Sequence, residues 1–199
     1  MKLTKNKILS NRICEIHLIK SKVYEQPSPK ILYNLNFNLS YIMLSFKKAL
    51  SIIFKYLKNN KRIFFIGVPK PLEEKINMST IHLATPESLD IKGFNSNKAV
   101  LESLKLTKHL FKDDKIVLTK IRKKPELIVV FNYKRKDYIV KESFVSKIPV
   151  IEFNFDIHKK TWNYNYNVIG NTPFTNRIGD NVFFIILNSL LNKFTKPIK

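Results

Sequence analysis

Two short apolar runs separated by a helix-like segment constrain the fold of this chain more than any other feature. Residues 125–131 and 148–153 are rich in Val and Ile, and residues 136–147 between them have a helical pattern. Strands joined in this way form a βαβ unit with parallel strands, because a parallel pair needs a crossover connection. Their near-continuous hydrophobicity indicates that both faces of the sheet are covered. The two runs therefore predict a three-layer α/β protein, in which helices flank a mainly parallel β-sheet.

The rest of the chain repeats this alternation of apolar runs and helical segments. One apolar stripe with the 3.6-residue period of a helix begins at Phe46 and ends at Leu57, and a second begins at Phe183 and ends at Phe194. Strands are predicted near residues 62–67, 80–84, 126–131, 148–153 and 166–169, and helices at residues 45–59, 72–78, 98–111, 136–147 and 180–194.

The charge of the chain points to a polyanionic partner. Its 199 residues suit one domain or one domain with an appendage, and Lys plus Arg number 36 against 15 acidic residues, for a net charge of +21. Such an excess destabilises the compact state by self-repulsion, so nucleic acid or an anionic membrane surface is the expected partner. The alternative is a set of solvated lysines that only keep the protein soluble. No apolar run reaches the length of about 18 residues that a membrane span requires, so no membrane insertion is expected.

No group of residues in the sequence forms a convincing catalytic, metal or cofactor site. The single cysteine, Cys14, excludes an internal disulfide framework, and the four histidines lack ligand spacing. The segment after the strand at 62–67 holds one glycine, Gly67, and has neither a dinucleotide-binding nor a Walker motif. His158 and Asp156 are close in the sequence, but they lie in a polar, aromatic segment that is expected to be a loop. The chain is therefore predicted not to be an enzyme and to bind no cofactor or metal.

The amino-acid sequences of several segments resemble the small-subunit ribosomal protein S2 family. That family has a Pro-Asp-Leu-Ile-Val-Val type strand, a helix with a Glu-Ala pair, an Ile-Pro-Val-Ile strand and a later Gly-Asn. The matching segments here are Pro125-Glu126-Leu127-Ile128-Val129-Val130, Lys141-Glu142-Ser143, Ile148-Pro149-Val150-Ile151 and Gly170-Asn171. The residues that match structural positions of the family are His17, Gly67, Gly93, Asn97, Pro149, Gly170 and Asn171.

The resemblance implies a flavodoxin-like arrangement with a shortened helical hairpin insertion. It predicts a basic N-terminal arm and extended segment over residues 1–44, with a loop and short strand at 34–44, and an α/β domain over 45–199. The hairpin of bacterial members would be reduced to residues 98–124. The Trp and second Gly of the family segment near Gly93 are absent, which favours a mitochondrial lineage over a plastid one.

By this resemblance, the chain is expected to be a structural constituent of the small subunit of a mitochondrial ribosome. It would bind rRNA and neighbouring ribosomal proteins, take part in translation without chemistry, and form no homo-oligomer. Nearly all its basic residues are Lys, and Ile, Asn, Phe and Tyr are abundant, a bias typical of an AT-rich genome such as an organelle's. This bias favours an organelle-encoded gene over import of a nuclear-encoded protein. The alternative function is a flavodoxin-like enzyme with a small-molecule site near Gly67 and Gly170.

Clusters of basic residues are the candidates for phosphate contacts along folded RNA. The basic residues at positions 55–62 form one such cluster, in addition to the candidates named next. The candidate RNA-binding residues are Lys2, Lys5, Lys7, Arg12, Lys20, Lys22, Lys105, Lys108, Lys112, Lys120, Arg122, Lys123, Lys124, Lys134, Arg135 and Lys136.

Overall fold

Five parallel strands form a single sheet in the order β2-β1-β3-β4-β5. The structure is a computed structural model that describes residues 11–13, 15–16, 35–79, 81–85, 124–131, 136–155, 165–169 and 182–194. Its elements, in chain order, are α1 (Leu35–Lys58), β1 (Ile63–Ile66), α2 (Lys70–Met78), β2 (Leu83–Thr85), β3 (Leu127–Val130), α3 (Lys136–Val145), β4 (Val150–Phe155), β5 (Asn165–Ile169) and α4 (Val182–Phe194).

This strand order is the one found in flavodoxin-like folds, and it confirms the predicted α/β class with a parallel sheet. Strand β1 pairs with β2 on one side and β3 on the other. The crossovers that contain α2 and α3 therefore run in opposite directions across the sheet. Because such crossovers are right-handed, α2 and α3 lie on opposite faces of the sheet.

The main core lies on the face that α1, α2 and α4 cover. Alternate strand residues such as Phe65, Val129 and Ile151 point to this face and are almost fully buried. Helix α1 contributes a stripe of buried residues that begins at Ile42, because apolar residues recur there at three- and four-residue spacing. The residues between them on the strands, among them Ile128, are buried on the opposite face.

An aromatic cluster fills this core near the carboxyl ends of the central strands. The Phe153 ring lies 4.7 Å from the Phe131 ring, 4.5 Å from the Phe183 ring and 5.6 Å from the Phe46 ring, measured between centroids. Offset and tilted aromatic pairs at such distances contribute beyond the area that they bury. The cluster joins α1, β3, β4 and α4 into one packing unit.

Helices α1 and α4 run in the same direction along the sheet. Phe46, in the middle of α1, contacts Phe183 at the start of α4, with ring centroids 5.7 Å apart. Phe54, nearer the end of α1, contacts Phe194 at the end of α4, with centroids 5.6 Å apart. The carboxyl ends of both helices therefore lie at the same side of the molecule.

The predicted loop and short strand at residues 34–44 are wrong, because α1 begins at Leu35 and runs through residue 44. The helix continues without a proline or glycine, and Ile42 extends the buried stripe of Phe46, Ala49 and Ile53 by one turn. Long helices are stabilised mainly by packing of such a stripe, which outweighs the weak helix propensity of the two asparagines in the first turns.

The other predicted elements within the described ranges are confirmed with small shifts of their ends. The predicted strand near 80–84 begins later, at Leu83, because the Ser79 hydroxyl oxygen accepts bonds from the amides of Ile81 (3.2 Å) and His82 (3.3 Å) and holds them in a turn. The helix predicted at 98–111 and the reduced hairpin lie outside the described residues, apart from Lys124.

Candidate nucleic-acid interface

Basic side chains gather at the edge of the sheet where the strands begin. All five strands are parallel, so the residues that precede each strand lie at this one edge. Helices α1, α2 and α3 lead directly into β1, β2 and β4, and α4 ends beside α1, so all four helices end there as well. We call the following cationic set the amino edge: Lys55, Lys58, Lys61, Arg62, Lys124, Lys147 and Lys193.

Direct contacts connect the members of this set across three chain segments. Lys61 forms an ion pair with Glu126 at 3.1 Å, and the Glu126 amide donates to the Arg62 carbonyl oxygen at 2.9 Å. The Lys124 ammonium donates to the Ser146 carbonyl oxygen at 2.5 Å, next to the peptide bond of Lys147. The start of β1, the start of β3 and the α3–β4 turn are therefore one continuous surface.

The amino edge keeps a positive charge after its local anions are counted. Among the described residues, two carboxylates offset the seven cations: Glu126, which pairs with Lys61, and Glu142, in the last turn of α3. Each helix end carries about half a negative charge from its dipole, so four ends offset about two further charges. Among the described residues, a net charge of roughly three remains, carried by the last turns of α1 and α4 and by the residues that precede β1, β3 and β4.

The Lys61–Glu126 pair contributes little to stability. Both side chains are about half exposed, at 46% and 49%, and pairs of this kind are worth about 0–1 kcal/mol in water. Lys61 also lies over the Tyr56 ring, with its Nζ 5.5 Å from the ring centroid. These contacts orient Lys61 at the start of β1 without neutralising the surface around it.

Two helices end at this edge in the same hydrogen-bonded turn, with a residue in the left-handed conformation. At the end of α1 this residue is Asn60, with φ of 52°, and at the end of α3 it is Lys147, with φ of 55°. The amides of Lys147 and Ile148 donate to the carbonyl oxygens of Phe144 (3.1 Å) and Ser143 (2.9 Å), the pattern of a Schellman motif. Asn is common at this position, whereas Lys is not.

A buried histidine lies directly beneath the amino edge. His82 precedes β2, is 4% exposed, and its Nδ1 has no hydrogen-bond partner within the described part of the chain. Burial, with a smaller contribution from the positive charge of Arg62, lowers the pKa of His82 from 6.5 to about 4. The imidazole is therefore neutral in the folded protein at pH 7.

His82 is expected to make the fold sensitive to mild acid. Its pKa is lower in the folded than in the unfolded state, so its contribution is complete above about pH 6.5 and is lost as the pH falls toward 4. The loss reaches on the order of 3 kcal/mol. Urea unfolding at pH 7 and pH 4.5 should show a smaller acid loss in His82→Leu, or in His82→Gln should the first variant fold poorly. Equal losses in wild type and variant would contradict the assignment.

Two buried apolar side chains lie at the opposite, carboxyl edge, beside the place where flavodoxin-like folds bind ligands. That place is the carboxyl ends of β1 and β3, where the strand order reverses. Gly67 follows β1 with φ of 75°, and its amide donates to the Thr85 carbonyl oxygen at 3.0 Å. Val68 and Phe131, which follow β1 and β3, are each 1% exposed. The left-handed glycine thus serves a turn that packs Val68 inward.

The structure separates the predicted RNA-binding residues that it describes. Lys124 is exposed at the amino edge, whereas Lys136 begins α3 at the carboxyl edge. Arg12 is exposed in a helical segment, residues 11–13 and 15–16. The remaining candidates lie outside the described residues: Lys2, Lys5, Lys7, Lys20, Lys22, Lys105, Lys108, Lys112, Lys120, Arg122, Lys123, Lys134 and Arg135.

Of the residues selected by family resemblance, two are described. Gly67 forms the turn after β1, and the Pro149 carbonyl oxygen accepts a bond from the Ile128 amide at 3.1 Å, which starts the pairing of β3 with β4. Both have structural roles. The others lie outside the described residues: His17, Gly93, Asn97, Gly170 and Asn171.

Sequence analysis missed Lys147 and Lys193 as members of the site. Each is isolated from the basic clusters along the chain, and only the fold brings them beside residues 55–62 and Lys124. The parallel topology was the available signal, since it requires residues that precede different strands to share an edge.

In comparisons with known proteins, no family model and no curated sequence matches this chain. Among the described residues, no three His, Cys, Asp or Glu side chains are grouped so that they could hold a metal ion. None of the helices described is both long enough and apolar enough to cross a bilayer.

Proposed function

We propose that this chain is a structural, RNA-binding component of the small subunit of a mitochondrial ribosome, similar to the S2 family. It would bind rRNA through the amino edge and contact neighbouring ribosomal proteins with its other surfaces. The observation that carries the proposal is the positive surplus of the described residues at the amino edge. Lysines spaced along one edge suit the repeating phosphates of folded RNA, which proteins recognise largely by shape and backbone.

The packing of the carboxyl edge supports a binding role over the alternative of a flavodoxin-like enzyme. Burial of Val68 and Phe131 leaves apolar side chains at the place where such enzymes hold a cofactor. Neither side chain offers a polar atom to a cofactor.

The proposal is tested by affinity for rRNA fragments across potassium concentrations, together with binding of ATP, NAD and FMN. Strong salt dependence without saturable cofactor binding is expected, because lysine–phosphate contacts release counterions. Sedimentation of the tagged protein in an organelle extract should place it with the small subunit. Salt-insensitive RNA binding, a tight cofactor complex, or absence from the subunit fraction would refute the proposal.

A further inference from the structure

The α3–β4 turn combines two cations and an exposed aromatic ring within one short segment of the amino edge. Phe144 is 42% exposed and Val145 is 72% exposed, at the end of α3. Lys147 follows two residues later, and the Lys124 ammonium reaches this turn from the start of β3. A lysine beside an exposed ring is the combination that binds a nucleotide through its phosphate and its base.

Lys147 occupies a backbone conformation that disfavours lysine. Its φ of 55° is in the left-handed region, which costs a residue with a Cβ about 1 kcal/mol, a factor of about five in conformer population. Glycine or asparagine is usual at this position of a Schellman motif, as Asn60 is at the end of α1. Attraction between the Lys147 ammonium and the negative end of the α3 dipole offsets part of this cost. A lysine elsewhere in the last turn would gain the same attraction without a left-handed backbone. A charge held there against the conformational preference points to a ligand.

Within the described part of the chain, the Lys124 ammonium uses only some of its donors. An ammonium group has three N–H donors, and the bond to the Ser146 carbonyl oxygen uses one of them. The same bond places this charge beside the peptide group that joins Ser146 to Lys147. The Lys147 side chain starts from this same peptide group, so an anion bound at the turn can be reached by both lysines.

We propose that the α3–β4 turn binds an unpaired nucleotide of the RNA, with Lys124 and Lys147 on its phosphate and Phe144 stacked on its base. The inference rests on the RNA-binding function proposed above and narrows it. A base in a duplex cannot present its face to a side chain, so this turn selects a single-stranded loop or end. The rest of the amino edge is left to contact the backbone of neighbouring helical RNA.

Variants at Lys147 separate ligand binding from stability. In the full chain, Lys147→Gly should leave the folded-to-unfolded ratio unchanged or raise it by up to about fivefold, because glycine relieves the left-handed strain. It should lower the salt slope for a short oligouridylate by about 0.7, the value of one single-strand phosphate contact. Lys147→Arg keeps the charge and should retain the slope. A Lys147→Gly slope equal to that of wild type would overturn the proposal.

Variants at Phe144 test the base contact. Phe144→Ala should weaken oligouridylate binding by about fivefold or more and leave a blunt RNA duplex unaffected, since stacking requires an unpaired base. The matched control is Tyr138→Ala, an exposed aromatic at the other end of α3. Equal losses for oligouridylate and duplex, or equal effects of the two variants, would overturn the proposal.

Two further outcomes distinguish this inference from the function on which it rests. Should wild type bind rRNA fragments while both sets of variants leave oligouridylate binding unchanged, the turn is not the nucleotide site and the proposed function stands. Should wild type bind no RNA, both fail. Competition by polyglutamate as effective as that by oligouridylate would assign the turn to an acidic protein and overturn the proposal.

Discussion

A triple variant with Lys58, Lys61 and Lys124 replaced by Gln should bind an rRNA fragment roughly 100-fold less tightly at about 0.15 M salt. Lys58 and Lys61 should each contribute about 0.9 to the slope of log affinity against log salt on helical RNA, and Lys124 about 0.7 on an unpaired nucleotide, so the slope should fall by up to about 2.5. All three side chains are exposed at the amino edge, and their replacement should leave the thermal midpoint close to that of wild type.

The control for this variant removes the same charge from other surfaces. Lys48, Lys70 and Lys141 are exposed and lie on α1, at the carboxyl edge and on α3 respectively. Their replacement by Gln lowers the net charge equally, and only a small change in affinity and slope is expected. Equal losses in the two triple variants would show that overall charge, and not the amino edge, determines RNA affinity.

Replacement of Phe153 by Ala is expected to lower the free energy of unfolding by about 3–5 kcal/mol. Phe153 is fully buried and contacts three other rings of the aromatic cluster, so truncation removes packing from α1, β3 and α4 together. For a domain stabilised by about 5–15 kcal/mol, such a loss leaves a marginal fold. Urea unfolding at pH 7 measures the loss, with the slope against denaturant expected to stay constant.

The matched control for Phe153 is the same substitution at an exposed aromatic. Phe194 is 37% exposed and pairs with Phe54 at the end of α4, so Phe194→Ala should cost much less. Phe153→Leu, which keeps most of the buried volume, is an intermediate that folds if the alanine variant does not. A cost below about 1.5 kcal/mol for Phe153→Ala would contradict the central role of the cluster.

The central strands β1 and β3 were predictable because they are buried on both faces. Such strands read as unbroken apolar runs, and the runs that end in Ile66 and Val130 leave little ambiguity about their place or type. The first half of α1 was not predicted because polar residues interrupt its start and the family resemblance favoured a strand there. Its helical state depends on contacts with β5 and α4, which a local pattern does not contain.

The sequence was sufficient to predict that the candidate site is made of basic residues. It was not sufficient to predict which of these residues come together in the fold. Two basic clusters, at residues 55–62 and 120–124, stand out along the sequence. Their junction through Lys61 and Glu126 depends on the pairing of β1 with β3, two strands separated by 60 residues. The left-handed conformation of Lys147 was not predictable, because lysine is uncommon in that conformation and neither Gly nor Asn is present there to indicate it.

The position of α1 has a consequence for the order in which the chain acquires its structure. The Tyr166 hydroxyl donates to the Ser45 carbonyl oxygen at 3.2 Å, and the α1 stripe is buried against α4, more than 120 residues later in the chain. At typical rates of synthesis, the interval between the end of α1 and the end of α4 is roughly ten to thirty seconds. Strands β1 to β5 can cover part of the apolar side of α1 during that time, but the contacts with Phe183 and Phe194 cannot form. The burial of α1 is therefore completed only after α4 has left the ribosome that makes the chain.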